Sequence, residues 1–263
     1  MPKFAANLNF LFQDIDFLDR FAAAAENGFQ AVEYLFPYEY PPDQLKQALA
    51  KHGLVQALFN LSPGDWNAGD RGLAALPGRE TEFRAAVNLA GKYAEALACK
   101  QVHVMAGIVP EGAQRDPYEE CYIANLSYAA DYFAARGVRT LIEPLNSFDM
   151  PGYLLNGSKQ ARRVIKAVGS DNLYLQYDVY HLQIMEGNLA HSFERDLDIT
   201  SHIQIAGVPG RHEPVIGEIN YPYLFALFDR LGYDGWVGCE YRPGGETRAG
   251  LDWAREYGIG KGR

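Results

Sequence analysis

The sequence predicts an α/β fold built as a single (β/α)8 TIM barrel, and three observations predict it. Eight short apolar runs alternate with helical patterns, at roughly thirty residues per unit. The runs are rich in Val, Ile, Leu and Phe, as parallel strands buried on both faces require. The alternation fills residues 1–263 without a linker, a low-complexity stretch or a shift in composition, so one domain is expected. Eight units in 263 residues suit a closed barrel better than an open doubly wound sheet. No G-x-G-x-x-G follows the first strand, which argues against a dinucleotide-binding sheet.

The first strand is expected over Phe4–Leu11. Asp16 can cap the helix after it, Phe17, Leu18, Phe21 and Ala25 give that helix a 3.6-period face, and Gly28 ends it. Ala31–Phe36 reads as the second strand, and Pro42–His52 as a helix with Leu45, Ala48 and Leu49 inward and Gly53 as its stop. Val55–Leu61 is the third strand. The longest loop, Ser62–Pro77, follows it on the face where barrels place their active sites, so it is expected to form a rim or lid. A long helix runs from Arg79 to Ala98, with Phe83, Val87, Ala90 and Leu97 on one face. After a fourth strand over Gln101–Gly107, Tyr122, Leu126, Ala129 and Phe133 stripe a helix that Gly137 closes. The remaining strands are Thr140–Leu145, Leu173–Asp178, His202–Gly207 and Trp236–Tyr241. Between them, Ser158 opens a helix that Gly169 closes, a short helix lies near Asn188–Arg195, and Asn220 starts one with Pro222 in its first turn and Gly232 at its end. A last helix is expected near Thr247–Tyr257.

Charge and composition exclude several functions. The net charge is −9 and no basic run or stripe occurs, so a nucleic-acid partner is not expected. No apolar stretch is long enough to span a membrane, and Met1-Pro2-Lys3-Phe4 does not open a signal peptide. Cys99, Cys121 and Cys239 form no C-x-x-C pair and are expected to be free thiols in a reducing cytoplasm. A barrel admits a homo-oligomer, but the sequence marks no surface for one.

The chemistry is expected at the C-terminal ends of the later strands. There, Glu143, Asp178, Gln204 and Glu240 interrupt or end the fifth to eighth apolar runs. A buried carboxylate costs several kcal/mol unless it is paired or holds a metal. Three of them meeting at one barrel mouth call for a cation. Three carboxylates and an amide oxygen form an all-oxygen set, which suits Mg2+ best and Mn2+ next. His181 can donate to a substrate oxygen, and Arg211 can hold a substrate carboxylate in a bidentate fork. His103 faces either the lumen or the helices, and Glu33, Asn60 and Glu218 are further candidates at the barrel mouth.

Several phrases also resemble a known family. They are Phe4-Ala5-Ala6-Asn7-Leu8, Val32-Glu33-Tyr34-Leu35-Phe36-Pro37, Leu76-Pro77-Gly78-Arg79-Glu80, Ile142-Glu143-Pro144-Leu145-Asn146, Gln176-Tyr177-Asp178-Val179-Tyr180-His181, Gly217-Glu218-Ile219-Asn220-Tyr221 and Gly235-Trp236-Val237-Gly238-Cys239-Glu240-Tyr241. Together they resemble the hydroxypyruvate isomerases of the xylose-isomerase-like barrels, in order and over nearly the whole chain. The stretch Leu145–Tyr153 resembles the hydroxypyruvate group in particular. The resemblance implies Glu143, Asp178, Gln204 and Glu240 as ligands of one divalent metal, with Glu143 and Glu240 also exchanging protons with the substrate. Related ketose epimerases carry a histidine where this chain has Gln204. The expected reaction interconverts hydroxypyruvate and tartronate semialdehyde through an enediolate. Alternatives are a 2-oxo-tetronate isomerase, a sugar epimerase, a metal-dependent phosphodiesterase and a non-catalytic sugar-acid binder.

Overall fold

Eight parallel strands, hydrogen-bonded in sequence order, close into a barrel when the last pairs with the first. They are β1 (Lys3–Asn7), β2 (Ala31–Tyr34), β3 (Val55–Asn60), β4 (Gln101–His103), β5 (Arg139–Ile142), β6 (Leu173–Asp178), β7 (Thr200–Ile205) and β8 (Trp236–Cys239). The structure is a computed structural model and describes residues 1–260. All eight sequence-predicted strands are present, and β6 has the predicted bounds. Most of the others stop short of their apolar runs. Pro144 has no N–H to continue the ladder beyond β5, and Leu145 N–H turns aside to Leu155 O at 3.0 Å. Glu143 and Glu240 therefore stand one residue past their strands, on the loops of the C-terminal face.

The helices are α1 (Arg20–Glu26), α2 (Pro42–His52), α3 (Glu80–Ala96), α4 (Asp116–Ala134), α5 (Ser158–Val168), α6 (Val179–Met185), α7 (Leu189–Asp196) and α8 (Tyr221–Arg230). Gly53 and Gly169 end α2 and α5 in the left-handed conformation, where a side chain would be strained. Asn220 caps α8 by accepting from Tyr223 N–H at 3.2 Å. Asp16 makes no side-chain cap, because a 3-10 turn over Phe17–Asp19 comes before α1. Ser158 does not cap α5 either. Gly157 is the N-cap, and the Ser158 hydroxyl donates to Glu186 at 2.8 Å. The expected last helix is a 3-10 helix over Ala249–Tyr257. α6 was not expected, because its seven residues are too short to show a period.

Outward side chains of the strands, such as Val32, Phe59, Val102, Ile142, Tyr177 and Ile203, join the helices in one large apolar core. The inward side is different. Asn7, Glu33, Gln101, His103, Gln176, Asp178, His202 and Gln204 are all buried there, and the small apolar cluster of Ala5, Ala31 and Ala57 lies apart from the main core. No helix among the described residues is long and apolar enough to cross a membrane.

Candidate active site

Strand alternation aims Glu143 and Glu240 into the barrel, in phase with the inward Leu141 and Gly238 two residues before each. Asp178 is the last residue of β6 and also the N-cap of α6. Its Oδ1 accepts from Tyr180 N–H at 2.7 Å and His181 N–H at 3.3 Å, so Oδ2 is left facing the site. This explains why a strand end, a cap and a short helix follow one another there. The cap orients the carboxylate, and α6 carries His181 one turn further on.

Glu143, Asp178, His181 and Glu240 are buried, and each offers a ligand-type atom within 4.8 Å of the others. Glu143 Oε1 has no protein hydrogen-bond partner. Burial, then the charges of Glu240 and Asp178, push the Glu143 carboxyl far above the usual glutamate range. Burial raises Glu240 to about 8, although Arg211 opposes the shift. Asp178 is raised by burial too, against the pull of Arg211 and the two cap N–H groups. A site that makes three acids this hard to ionise matches what a divalent cation would reverse. The orphan oxygen and the all-buried donors fit such an ion.

Arg211, in the left-handed conformation after β7, lays its guanidinium against Glu240 Oε2 and 3.8 Å from Asp178 Oδ2. The rings of Phe10 and Tyr180 sandwich it at 4.9 and 4.8 Å. His181 Nδ1 accepts from the backbone N–H of Asn146 at 3.1 Å. A backbone N–H can only donate, so in the neutral ring the proton sits on Nε2, 3.7 Å from Asp178 Oδ2. Burial, with the charge of Arg211, keeps that ring neutral by lowering its pKa far below the usual histidine value. His181 therefore offers the site a donor, not a lone pair.

Of the expected site residues, Glu143, Asp178, Glu240, His181 and Arg211 come together. Gln204 lies beside Asp178 in the β6–β7 register, just below the cluster. Its amide nitrogen donates to Glu33 at 2.8 Å, and its oxygen accepts from Gln176 at 2.5 Å. His103 faces the lumen, fully buried, with neither ring nitrogen partnered and Nδ1 3.5 Å from Glu143 Oε2. Asn60 lines the cavity above. Glu218 does not. It is exposed and accepts from Gln183 at 3.0 Å. The sequence did not single out Asn7, which donates to Glu240 Oε1 at 3.3 Å, or Asn146, which fixes the His181 tautomer. Asn7 ends β1 in an apolar run, the same signal that marked Gln204, whereas Asn146 lies in the loop after β5.

The cavity over the cluster measures about 310 Å³, in the size range of small-ligand sites. Trp66, from the loop after β3, and Phe36 form part of its wall, with their rings 5.5 Å apart. The loop is held by a bridge from Gly72 to Ala106 and an Asp70–Arg79 ion pair at 2.7 Å. It forms the rim that its position predicted.

Residues 21–257 match the family model described as xylose isomerase-like TIM barrel. A 2-oxo-tetronate isomerase of Cupriavidus necator is 54% identical over 98% of this chain and 99% of its own length. The hydroxypyruvate isomerase of Escherichia coli is 47% identical over 98% of this chain and 100% of its own. A Brucella melitensis crystal structure titled AP endonuclease, family 2, superposes with a TM-score of 0.96 at 50% identity, covering 98% of this chain and 99% of that one.

Proposed function

The chain belongs to the family of xylose isomerase-like TIM barrels, and on that premise we propose that it is a metal-assisted isomerase interconverting hydroxypyruvate and tartronate semialdehyde. The observation that carries the reading is the convergence of three buried carboxylates, Glu143, Asp178 and Glu240, with one Glu143 oxygen unpartnered. Gln204 is the fourth ligand in this reading. The His181 tautomer supports that choice, since a nitrogen carrying a proton cannot ligate. Four oxygen donors favour Mg2+, with Mn2+ as the near substitute. When bound, the ion would supply Lewis-acid stabilisation for negative charge developing on the substrate.

The chain's own groups do the rest. One of Glu143 and Glu240 takes the proton from C3 of hydroxypyruvate, and the other delivers one to C2, while the hydroxyl proton passes from one oxygen to the next. The carbon skeleton and redox balance are unchanged. His181 Nε2–H donates to a substrate oxygen, and Arg211 is the cation that meets the substrate carboxylate. The substrate is small and anionic, and Arg211, with Arg242 also lining the cavity, makes the site a local exception to the overall negative charge. The three free cysteines agree with a cytoplasmic setting.

A four-carbon 2-oxo-tetronate is the second reading. The 54% identical relative of that name favours it, and it uses the same enediolate chemistry. A substrate panel followed by NMR in deuterated buffer, with defined metals and after chelation, tests both. Solvent deuterium should enter hydroxypyruvate carbons only with metal present. Turnover unaffected by chelation would remove the metal from the reading, and preference for the four-carbon acid would replace the substrate.

A further inference from the structure

A second acid, Glu33, lies in the lumen beneath the carboxylate cluster, and three donors converge on it. Asn7 Nδ2 reaches Oε1 at 3.0 Å, Gln204 Nε2 reaches the same oxygen at 2.8 Å, and His202 Nε2 reaches Oε2 at 2.7 Å. The histidine is set from behind. Its Nδ1 accepts from Gln101 Nε2 at 3.0 Å, and Gln101 Oε1 accepts from Ser201 Oγ at 3.0 Å. This order leaves the ring proton on Nε2, pointing at Glu33. The space for the carboxylate comes from β8. A Cβ built on Gly238 would lie 2.5 Å from Glu33 Cδ, and closer still to both oxygens. Gly238 is the register neighbour of Gln204. The glycine therefore makes room for this acid beside this amide.

We propose that Glu33 is a positioning residue that sets which end of the Gln204 amide faces the site. The inference rests on Gln204 being a metal ligand. A primary amide presents either an oxygen or an NH2 group, and the two ends have nearly the same shape. Only the oxygen attracts a cation. A carboxylate can only accept, so Glu33 holds the Gln204 nitrogen and turns the oxygen away from itself. That oxygen accepts from Gln176 at 2.5 Å and keeps its second lone pair. An uncharged residue of the same size at position 33 would let the amide turn over.

The test is calorimetric titration of the full chain with Mn2+, comparing wild type, Glu33→Gln, Gly238→Ala, Gln204→Ala and the Glu33→Gln/Gln204→Ala pair. Glu33→Gln is expected to weaken Mn2+ binding by about 10- to 100-fold, the range for groups that orient a metal ligand. Gly238→Ala, which pushes on the carboxylate from the other side, is expected to weaken it in the same direction and serves if Glu33→Gln does not fold. In the Gln204→Ala background, Glu33→Gln is expected to add little, since its route is gone. Full additivity in the pair would overturn the proposal. So would wild-type Mn2+ affinity in Glu33→Gln, whatever its thermal stability. Wild-type affinity in Gln204→Ala would instead remove the ligand assignment on which the proposal stands.

Discussion

The lumen holds two Glu–His pairs, one above the other, and they are built to opposite rules. In the lower pair, Glu33 and His202 meet at 2.7 Å, both Glu33 oxygens accept hydrogen bonds, and the second ring nitrogen is satisfied by Gln101. In the upper pair, Glu143 and His103 stand 3.5 Å apart, with one carboxylate oxygen and both ring nitrogens unpartnered. The residue types and the burial are the same. The lower pair has spent its hydrogen-bonding capacity on the barrel, and the upper pair has kept it for something the chain does not contain. Buried polar groups are satisfied as a rule, so the orphans mark where a ligand completes the structure. The electrostatics agree, since burial lowers His103 to about 3 and drives Glu143 upward. Burial thus disfavours the charged form of both groups that line this cavity.

The largest expected effect breaks the upper pair. Glu143→Gln should lower kcat by about 10²- to 10⁴-fold, the usual worth of a general acid–base group. The metal-free protein should hold or raise its melting temperature, because the substitution removes a buried acid that repels Glu240 and Asp178. Steady-state kinetics and thermal unfolding check the two halves. A large loss of stability would mean that Glu143 belongs with the structural pair.

The next effect breaks the lower pair. His202→Leu leaves Glu33 Oε2 and the Gln101 amide without their partner in a dry interior. Removing one member of a buried pair costs about 3–5 kcal/mol, so denaturant unfolding of the metal-free protein should show a loss of that order. A change under about 1 kcal/mol would show that the lower network is not structural.

The two layers also differ in how far the sequence shows them. The barrel was legible apart from the short α6, because parallel strands buried on both faces leave long apolar runs and glycines end several helices. So were Glu143, Asp178 and Glu240, since a carboxylate inside an apolar run is conspicuous. The strand ends were read too long. An apolar run continues after the ladder stops, and Val104 to Ala106 are buried beyond β4 without belonging to a strand. The lower layer was hidden for another reason. Gln101, Ser201 and His202 look like ordinary polar residues of strands, and only closure of the barrel brings β2, β4 and β7 to one acid. Gly238 reads as a strand glycine until Glu33 is seen occupying the space where its side chain would be. Pairwise convergence across a barrel has no local signature.

A smaller effect concerns pH and sharpens the contrast from the metal's side. Burial holds the folded pKa of Glu240 near 8, above its ordinary value, and Glu143 is shifted the same way. A raised pKa means that the folded state binds more protons than the unfolded one. The associated stability is full below the unfolded value and is lost as pH rises through the folded one. The metal-free protein should therefore lose melting temperature between about pH 5 and about pH 8. Metal binding needs the same carboxylates ionised, so added Mn2+ should stabilise more as pH rises. Melting curves with and without Mn2+ across that window should diverge upward. A constant gap would place the cation away from these acids.

The smallest expected change in stability is the most discriminating, because it repeats the His202 substitution one layer higher. His103→Leu removes two buried nitrogens that have no protein partner. Replacing an unsatisfied polar group by an apolar one of similar size is close to neutral or stabilising, so unfolding should shift by less than about 1 kcal/mol in either direction. His103 lines the cavity beside Glu143, and its unpartnered nitrogens are available to substrate oxygens, so activity should still fall. The loss should appear in kcat/KM while Mn2+ affinity is unchanged, because the ligand-type atoms that converge at the site come from Glu143, Asp178, His181 and Glu240 and not from His103. If His103→Leu unfolded the protein as readily as His202→Leu, the two pairs would be equivalent and the orphaned nitrogens would carry no functional meaning. If it left both stability and kcat/KM intact, the upper layer would reduce to its carboxylates alone.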